Sequence, residues 1–247
     1  MPAFGLAAEG GVAIDPKALA KSIERLQGAE LGGNGLADAL QLVVDETEQL
    51  FRVDGAGLML LAADDQLRYV AASDEPGRVL EQIQEEVGEG PCLAAFDSDM
   101  PTATSNAPTD QRWPAFGRLV AEHGIHAVLG VPVDLQGGPI GTLNVYSVRP
   151  HEWDSSEEEA IAAYSRVAAT VLGTAVHAEV RDALAKQLQR ALEHRVLIEQ
   201  AKGILMERHG IDARTAFERL RRQARSRQER LTDLARRMID GVSLPPV

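Results

Sequence analysis

Only one cysteine, Cys92, occurs among the 247 residues. Without a second thiol there is no intrachain disulfide and no cysteine-rich zinc site, which fits a reducing compartment. Hydrophobic runs are short as well. The longest, Leu58–Ala63, is far below the roughly 20 residues that cross a bilayer. Met1 to Pro16 has neither the basic start nor the apolar stretch of a signal peptide, so a soluble, cytoplasmic protein with no membrane partner is expected. Also missing are a phosphate-binding loop, a Gly-x-Ser-x-Gly elbow and a dinucleotide fingerprint. The histidines are scattered. His123 and His126 flank Gly124 at a helix-to-strand joint, where surface histidines are expected rather than a metal pair. Cys92 has no patterned base beside it and reads as a small buried residue. No catalytic activity, metal or cofactor is expected.

Acidic charge is in excess, at −12 overall, but unevenly. Residues 181–247 hold 15 basic against 9 acidic side chains, a net +6, while the first 180 hold 10 against 28, a net −18. The first part repels nucleic acid and the second attracts it, although an arginine-rich helix is equally well a solvated face.

Residues 1–33 read as an extension, loose to about residue 15. It then carries a short helix opened by Asp15-Pro16, with Leu19, Ile23 and Leu26 on one face. Beyond Gly32–Gly35, the spacing of Leu36, Leu40, Val43, Val44, Thr47 and Leu50-Phe51 predicts a second helix. Strands are expected over 56–63, 67–73, 102–104, 127–135 and 140–148, the first two joined at Asp64-Asp65 and the last two turning at Gln136–Pro139. Helices are expected over 79–87 and 113–123. Adjacent strands and a late hairpin imply an antiparallel sheet, hence an α+β fold.

Ser155 to Glu158 has the form of a capping box, and no proline or strong stop follows until His209-Gly210. One continuous, coiled-coil-like rod is expected. Ile161, Tyr164, Ala168, Val171, Ala175 and Ala178 form one heptad-like run. Leu184, Leu188, Ala191, Arg195 and Ile198 form another, out of phase with the first, with a stutter near 179–183. A parallel homodimer is expected, although Arg195 is a poor seam residue. Two short helices follow, one capped by Asp212 and one by a Ser226–Glu229 box. They fold back on Leu197, Ala201, Ile204 and Leu205.

The tail holds the more specific signal: Ile198, Ala201-Lys202-Gly203-Ile204-Leu205-Met206, Gly210, Ala216-Phe217, Leu220-Arg221, Leu231 and Ala235. This pattern resembles the ANTAR family over about the last fifty residues, which implies an RNA-binding antiterminator. Gly203 inside a helix costs about 1 kcal/mol relative to alanine, so it points to close approach of another backbone, helix or nucleic acid. Lys202 lies beside it. Arg221, Arg222, Arg225, Arg227 and Arg230 cluster at a joint that ends in a helix N-terminus, where free N–H groups favour phosphate. With Arg195, Lys202 and Gly203, they are the candidate RNA-binding residues. The tail's one aromatic, Phe217, reads as core, which excludes aromatic platforms for bases. Where the family often carries Ser and Asn at the joint, this chain has Ala224 and Gln228.

The front of the chain resembles the GAF family over about residues 34–178. The resemblance rests on Gly88-Glu-Gly-Pro-Cys-Leu93, Arg112-Trp113-Pro114 and the hairpin from Gly130 to Tyr146. It implies a sheet between helices and a sensor for an unidentified small molecule or protein signal, with Cys92, Trp113, Phe116 and Leu129 lining the pocket. Ala94 stands where relatives often have Asp, and no Asn-Lys-x-x-x-Phe-Asp-Glu signature supports a cyclic nucleotide. The expected division is a 1–33 extension, a 34–178 sensor domain, a 179–195 helical linker and a 196–243 three-helix ANTAR domain. The two resemblances together imply a signal-responsive regulator acting by transcription antitermination, binding RNA stem-loops near terminators as a homodimer. The alternatives are a DNA-binding regulator, or a sensor whose tail only dimerises or binds a protein.

Overall fold

The computed structural model describes residues 16–31, 36–62, 66–134, 139–178, 183–227 and 229–241. Five strands, β1 (Gly55–Leu61), β2 (Leu67–Ala72), β3 (Thr102–Thr104), β4 (Ala127–Asp134) and β5 (Pro139–Ser147), form one antiparallel sheet in the order β2-β1-β5-β4-β3. The helices are α1 (Pro16–Leu31), α2 (Leu36–Phe51), α3 (Glu75–Val87), α4 (Pro91–Ser98), α5 (Pro114–Glu122), α6 (Ser155–Ala178), α7 (Ala183–His209), α8 (Ala213–Arg227) and α9 (Leu231–Ile239). The fold is therefore α+β, as the strand spacing implies.

Register decides which residues share a face. Asn144 on β5 pairs with Gly57 and Gly130, while Val145 pairs with Ala56 and Leu129. Because alternate side chains point to opposite faces, Thr142, Asn144, Gly57 and Gly130 face α3 and α4. Leu58, Leu129, Leu143 and Val145 face α2 and α6. On that second side the apolar steps of α2 and α6 interlock. Tyr164 meets Phe51 edge-on with centroids 5.7 Å apart, and its hydroxyl lies 2.8 Å from Ser22 Oγ on α1. Ser165 donates to the carbonyl of Pro132 at 2.9 Å. Each large apolar side chain buried here contributes roughly 1.5–3 kcal/mol.

That packing corrects the seam reading. Ile161, Tyr164 and Ala168 are buried in the core of their own domain, so their heptad-like steps are satisfied within the chain. Ile198 likewise belongs to a second, smaller core with Ala201, Leu205, Phe217, Leu220 and Leu234, where α8 and α9 close on the end of α7. Of the expected single rod, α6 and α7 are described, while residues 179–182, which hold most of the expected stutter near 179–183, lie outside the described residues. So do residues 1–15, the turn at Asp64-Asp65 and the hairpin tip at Gln136–Gly138.

The caps also differ from the sequence reading. Asp154, not Ser155, caps α6: its Oδ1 accepts from Ser156 N and Glu157 N, and Glu157 reaches back to Asp154 N at 2.9 Å. An aspartate one residue upstream is the stronger acceptor, so the box shifts by one. Ser226 donates to the Gln223 carbonyl inside α8, and Glu229 pairs with Arg237, so the Ser226–Glu229 box does not form. Asp212 does cap α8, accepting from Thr215 N at 2.7 Å.

Candidate functional site

On the α3/α4 side of the sheet lies a fully buried carboxyl group, Glu81. Asn144 Nδ2 donates to its Oε1 at 2.7 Å, and Gln84 Nε2 to its Oε2 at 3.3 Å. Gln84 also donates to Cys92 Sγ at 2.7 Å and accepts from Cys92 N at 2.9 Å. Gly57 makes room for this cluster, since a Cβ there would collide with Glu81 Oε1. Burial pushes the Glu81 carboxyl up to about 8, against the opposing hydrogen bonds of Asn144 and Gln84. The group is therefore largely a neutral acid at pH 7. Burial and the nearby Glu81 push the Cys92 thiol up too, which makes it a poor nucleophile. Asn144 Oδ1 and Thr142 Oγ1, on the same sheet face, are buried without a hydrogen-bond partner. The arrangement can hold a small polar group by hydrogen bonds.

The motif from Gly88 to Cys92 builds the frame around this cluster. Gly88, at φ 70°, ends α3 in the left-handed region, which glycine adopts without strain. The Glu89 carboxylate accepts from Ala115 N and Phe116 N, at 2.7 and 3.1 Å, and so caps α5. Gly90, at φ 144°, passes against Gln84, and Pro91 opens α4. At the far end, Tyr146 donates to Asp74 Oδ2, while Asp74 Oδ1 caps α3 at Gly77 N. Of the pocket residues read from sequence, Cys92 joins the cluster and Phe116 is buried on α5. Trp113 is half-buried under the Arg112 guanidinium, 4.2 Å from the ring centroid. Leu129 is a correction: strand alternation sends it to the opposite face, so the four do not converge. Sequence reading missed Glu81, Gln84 and Asn144. The available signal was two polar residues, Thr142 and Asn144, at alternate positions of an otherwise apolar strand.

The second unit presents the basic residues. Arg222 and Arg230 are exposed and Arg221 and Arg227 are partly so, around the end of α8 and the start of α9. Lys202 is different. It is 7% exposed, bonded to Glu199 Oε1 at 2.9 Å and 5.7 Å above the Phe217 ring, so its ammonium is held inward. Gly203 is exposed, and a Cβ there would meet nothing within 4 Å. Packing within the described chain therefore does not require glycine. It floors a shallow groove between Gln200, Ile204, Glu207 and Ile239. Arg195 and Arg225 belong to α7 and α8, but their side chains and Gln228 lie outside the described residues. Ala224 is buried in the small core.

Comparison with known proteins matches this geometry unit by unit. The family model described as "GAF domain" matches residues 35–172, and that described as "ANTAR domain" matches residues 186–239. Among solved structures, the chain is similar to the GAF domain of a phosphoenolpyruvate-protein phosphotransferase from Coxiella burnetii. There the TM-score is 0.50 and the identity 21%, over 66% of this chain and 96% of that one. The corresponding Acinetobacter domain has a TM-score of 0.50 and 20% identity, over 67% and 98%. A free methionine-R-sulfoxide reductase from Neisseria meningitidis has a TM-score of 0.50 and 14% identity, over 72% and 99%. At these identities the likeness concerns fold alone. No curated protein matches the chain.

Proposed function

Because this chain belongs to the GAF family and carries an ANTAR domain, we propose that it is a signal-responsive regulator that binds RNA stem-loops and acts by transcription antitermination. GAF is a sensor domain and ANTAR an RNA-binding antitermination domain. The observation that carries the reading is the ANTAR match on the unit where exposed arginines gather at the α8–α9 joint. Arginine at such a joint binds phosphate through charge and a planar fork of donors, and stacks on unpaired bases. The sensor half contributes the Glu81–Asn144 cluster, a buried polar site for an unidentified small molecule. The activity proposed is regulatory rather than catalytic. A second copy is expected on α7, where the sequence steps through Leu184, Leu188 and Ala191.

The test is competition binding of an RNA with two tandem stem-loops against duplex DNA of equal length, at several salt concentrations. RNA is expected to win. The double variant Arg222→Ala, Arg230→Ala should lose about tenfold in RNA affinity and flatten the salt dependence by about two counterions. Preference for duplex DNA would make the chain a DNA-binding regulator. Binding of neither would leave the tail as a dimerisation or protein-binding element.

A further inference from the structure

The two units touch, and the contact falls on the arginine face. α7 lies against β1 and β5, and a cleft of about 660 Å³ separates α4 from α8. One wall is a stripe of α4, Leu93, Phe96 and Asp97, one helical turn in length. The other is a stripe of α8, Phe217, Arg221 and Ala224, at i, i+4, i+7 spacing along one helix face. Across the cleft the guanidinium of Arg221 pairs with the carboxylate of Asp97. An arginine read as a phosphate ligand is thus already on an oxyanion of the same chain.

We infer that this contact is an autoinhibitory latch, in which Asp97 holds on Arg221 the place that an RNA phosphate takes in the bound state. The inference rests on the RNA-binding reading above. Three features support it. First, the charge balance of the chain, −18 in the first 180 residues and +6 in the rest, draws the two units together. Second, the latch is weak. The side chains of Arg221 and Asp97 are 35% and 32% exposed, and the walls beside them enclose space instead of interdigitating. An exposed pair of this kind contributes little, so breaking it costs little. Third, the latch is wired to the sensor cluster. Asp97 and Cys92 ride on the same eight-residue helix, and the Cys92 N–H is held by Gln84 over Glu81. A ligand that rearranges the cluster moves α4, and it opens the latch to the extent that it binds the open state better.

The experiment uses the full chain, a labelled RNA with two tandem stem-loops, and amide hydrogen exchange read by mass spectrometry. Asp97→Asn should raise RNA affinity about threefold to tenfold and steepen its salt dependence by about one counterion, as one arginine is freed for phosphate. It should also speed exchange in both α4 and α8 while β4 and β5 stay protected. Arg221→Gln should speed the same exchange but lower RNA affinity, because one side chain serves both contacts. The exchanged pair Asp97→Arg with Arg221→Asp should restore protection without restoring RNA affinity. Unchanged exchange in Asp97→Asn and Arg221→Gln would remove the contact whatever the RNA does. Faster exchange with RNA affinity unchanged in Asp97→Asn would overturn the latch. Failure of every form to bind RNA, with exchange still rising, would remove the RNA reading and leave the docking contact in place.

Discussion

Glu81 is a carboxyl group with no exposed surface, and its proton is the consequence. Its folded-state value of about 8 lies above the ordinary 4.5, so the folded protein binds the proton more tightly than the unfolded chain. The stability this gives is full below about pH 4.5 and is lost as pH rises through about 8. Glu81→Gln removes the ionisation but keeps an acceptor for Asn144. One pKa unit is worth roughly 1.4 kcal/mol, and the amide loses the long contact from Gln84, so a gain of about 1–3 kcal/mol is expected at pH 8.5. Urea melts at pH 5.5 and 8.5 check it: the variant should gain at the higher pH and show little gain at the lower. Equal pH dependence in both proteins would mean that Glu81 does not titrate in this range. Nothing in the helix pattern marks this residue. In a run such as Leu-Glu-Gln-Ile-Gln-Glu-Glu, a glutamate reads as solvent-facing, and only the partner strand, with Asn144 and Gly57, turns that position inward.

Helix α4 is the element that the sequence hides best. It is eight residues long, stands between Gly90 and a left-handed Asp99, and starts on a proline, so neither its length nor its periodicity rises above a loop. Yet it carries Cys92 to the buried cluster and Asp97 to the cleft. Strands β1, β2, β4 and β5 are legible within two residues because alternation and turn residues act locally. By contrast, α3 begins at Glu75 rather than Val79 because its cap, Asp74, is also bound by Tyr146 from a distant strand. The two glycines before α4 make a contrast that tests the frame. Gly88 has open space around it, so Gly88→Asn should cost under about 1 kcal/mol, asparagine being tolerant of the left-handed region. Gly90→Ala puts a Cβ into Gln84 at a φ that L residues avoid. It should cost about 2 kcal/mol or more and lower the thermal midpoint by several degrees. Similar melting of both variants would show that the Gly90 bend yields.

At the scale of the whole molecule, the open matter is how copies meet. Three positions of the expected seam, Ile161, Tyr164 and Ala168, are spent inside the sensor core. Heptad spacing cannot distinguish a helix that faces its own sheet from one that faces a partner, and that is why the sequence overstated the seam. The α7 run of Leu184, Leu188 and Ala191 lies beyond that core in the chain. A dimer through it should sediment as such at micromolar concentration, and Leu188→Asp should shift it to monomer while the sheet still melts cooperatively. A monomeric parent protein would remove the helical interface. The sheet itself bears on the same question. Its outermost strands are β3, only three residues long, and β2, whose Arg68 is tied to Glu85. Among the described residues, neither rim offers a long, flat row of unpaired backbone groups on which a foreign strand can grow. Strand-to-strand polymerisation is thereby discouraged, and a destabilised variant of this protein should fail as amorphous precipitate sooner than as ordered fibres.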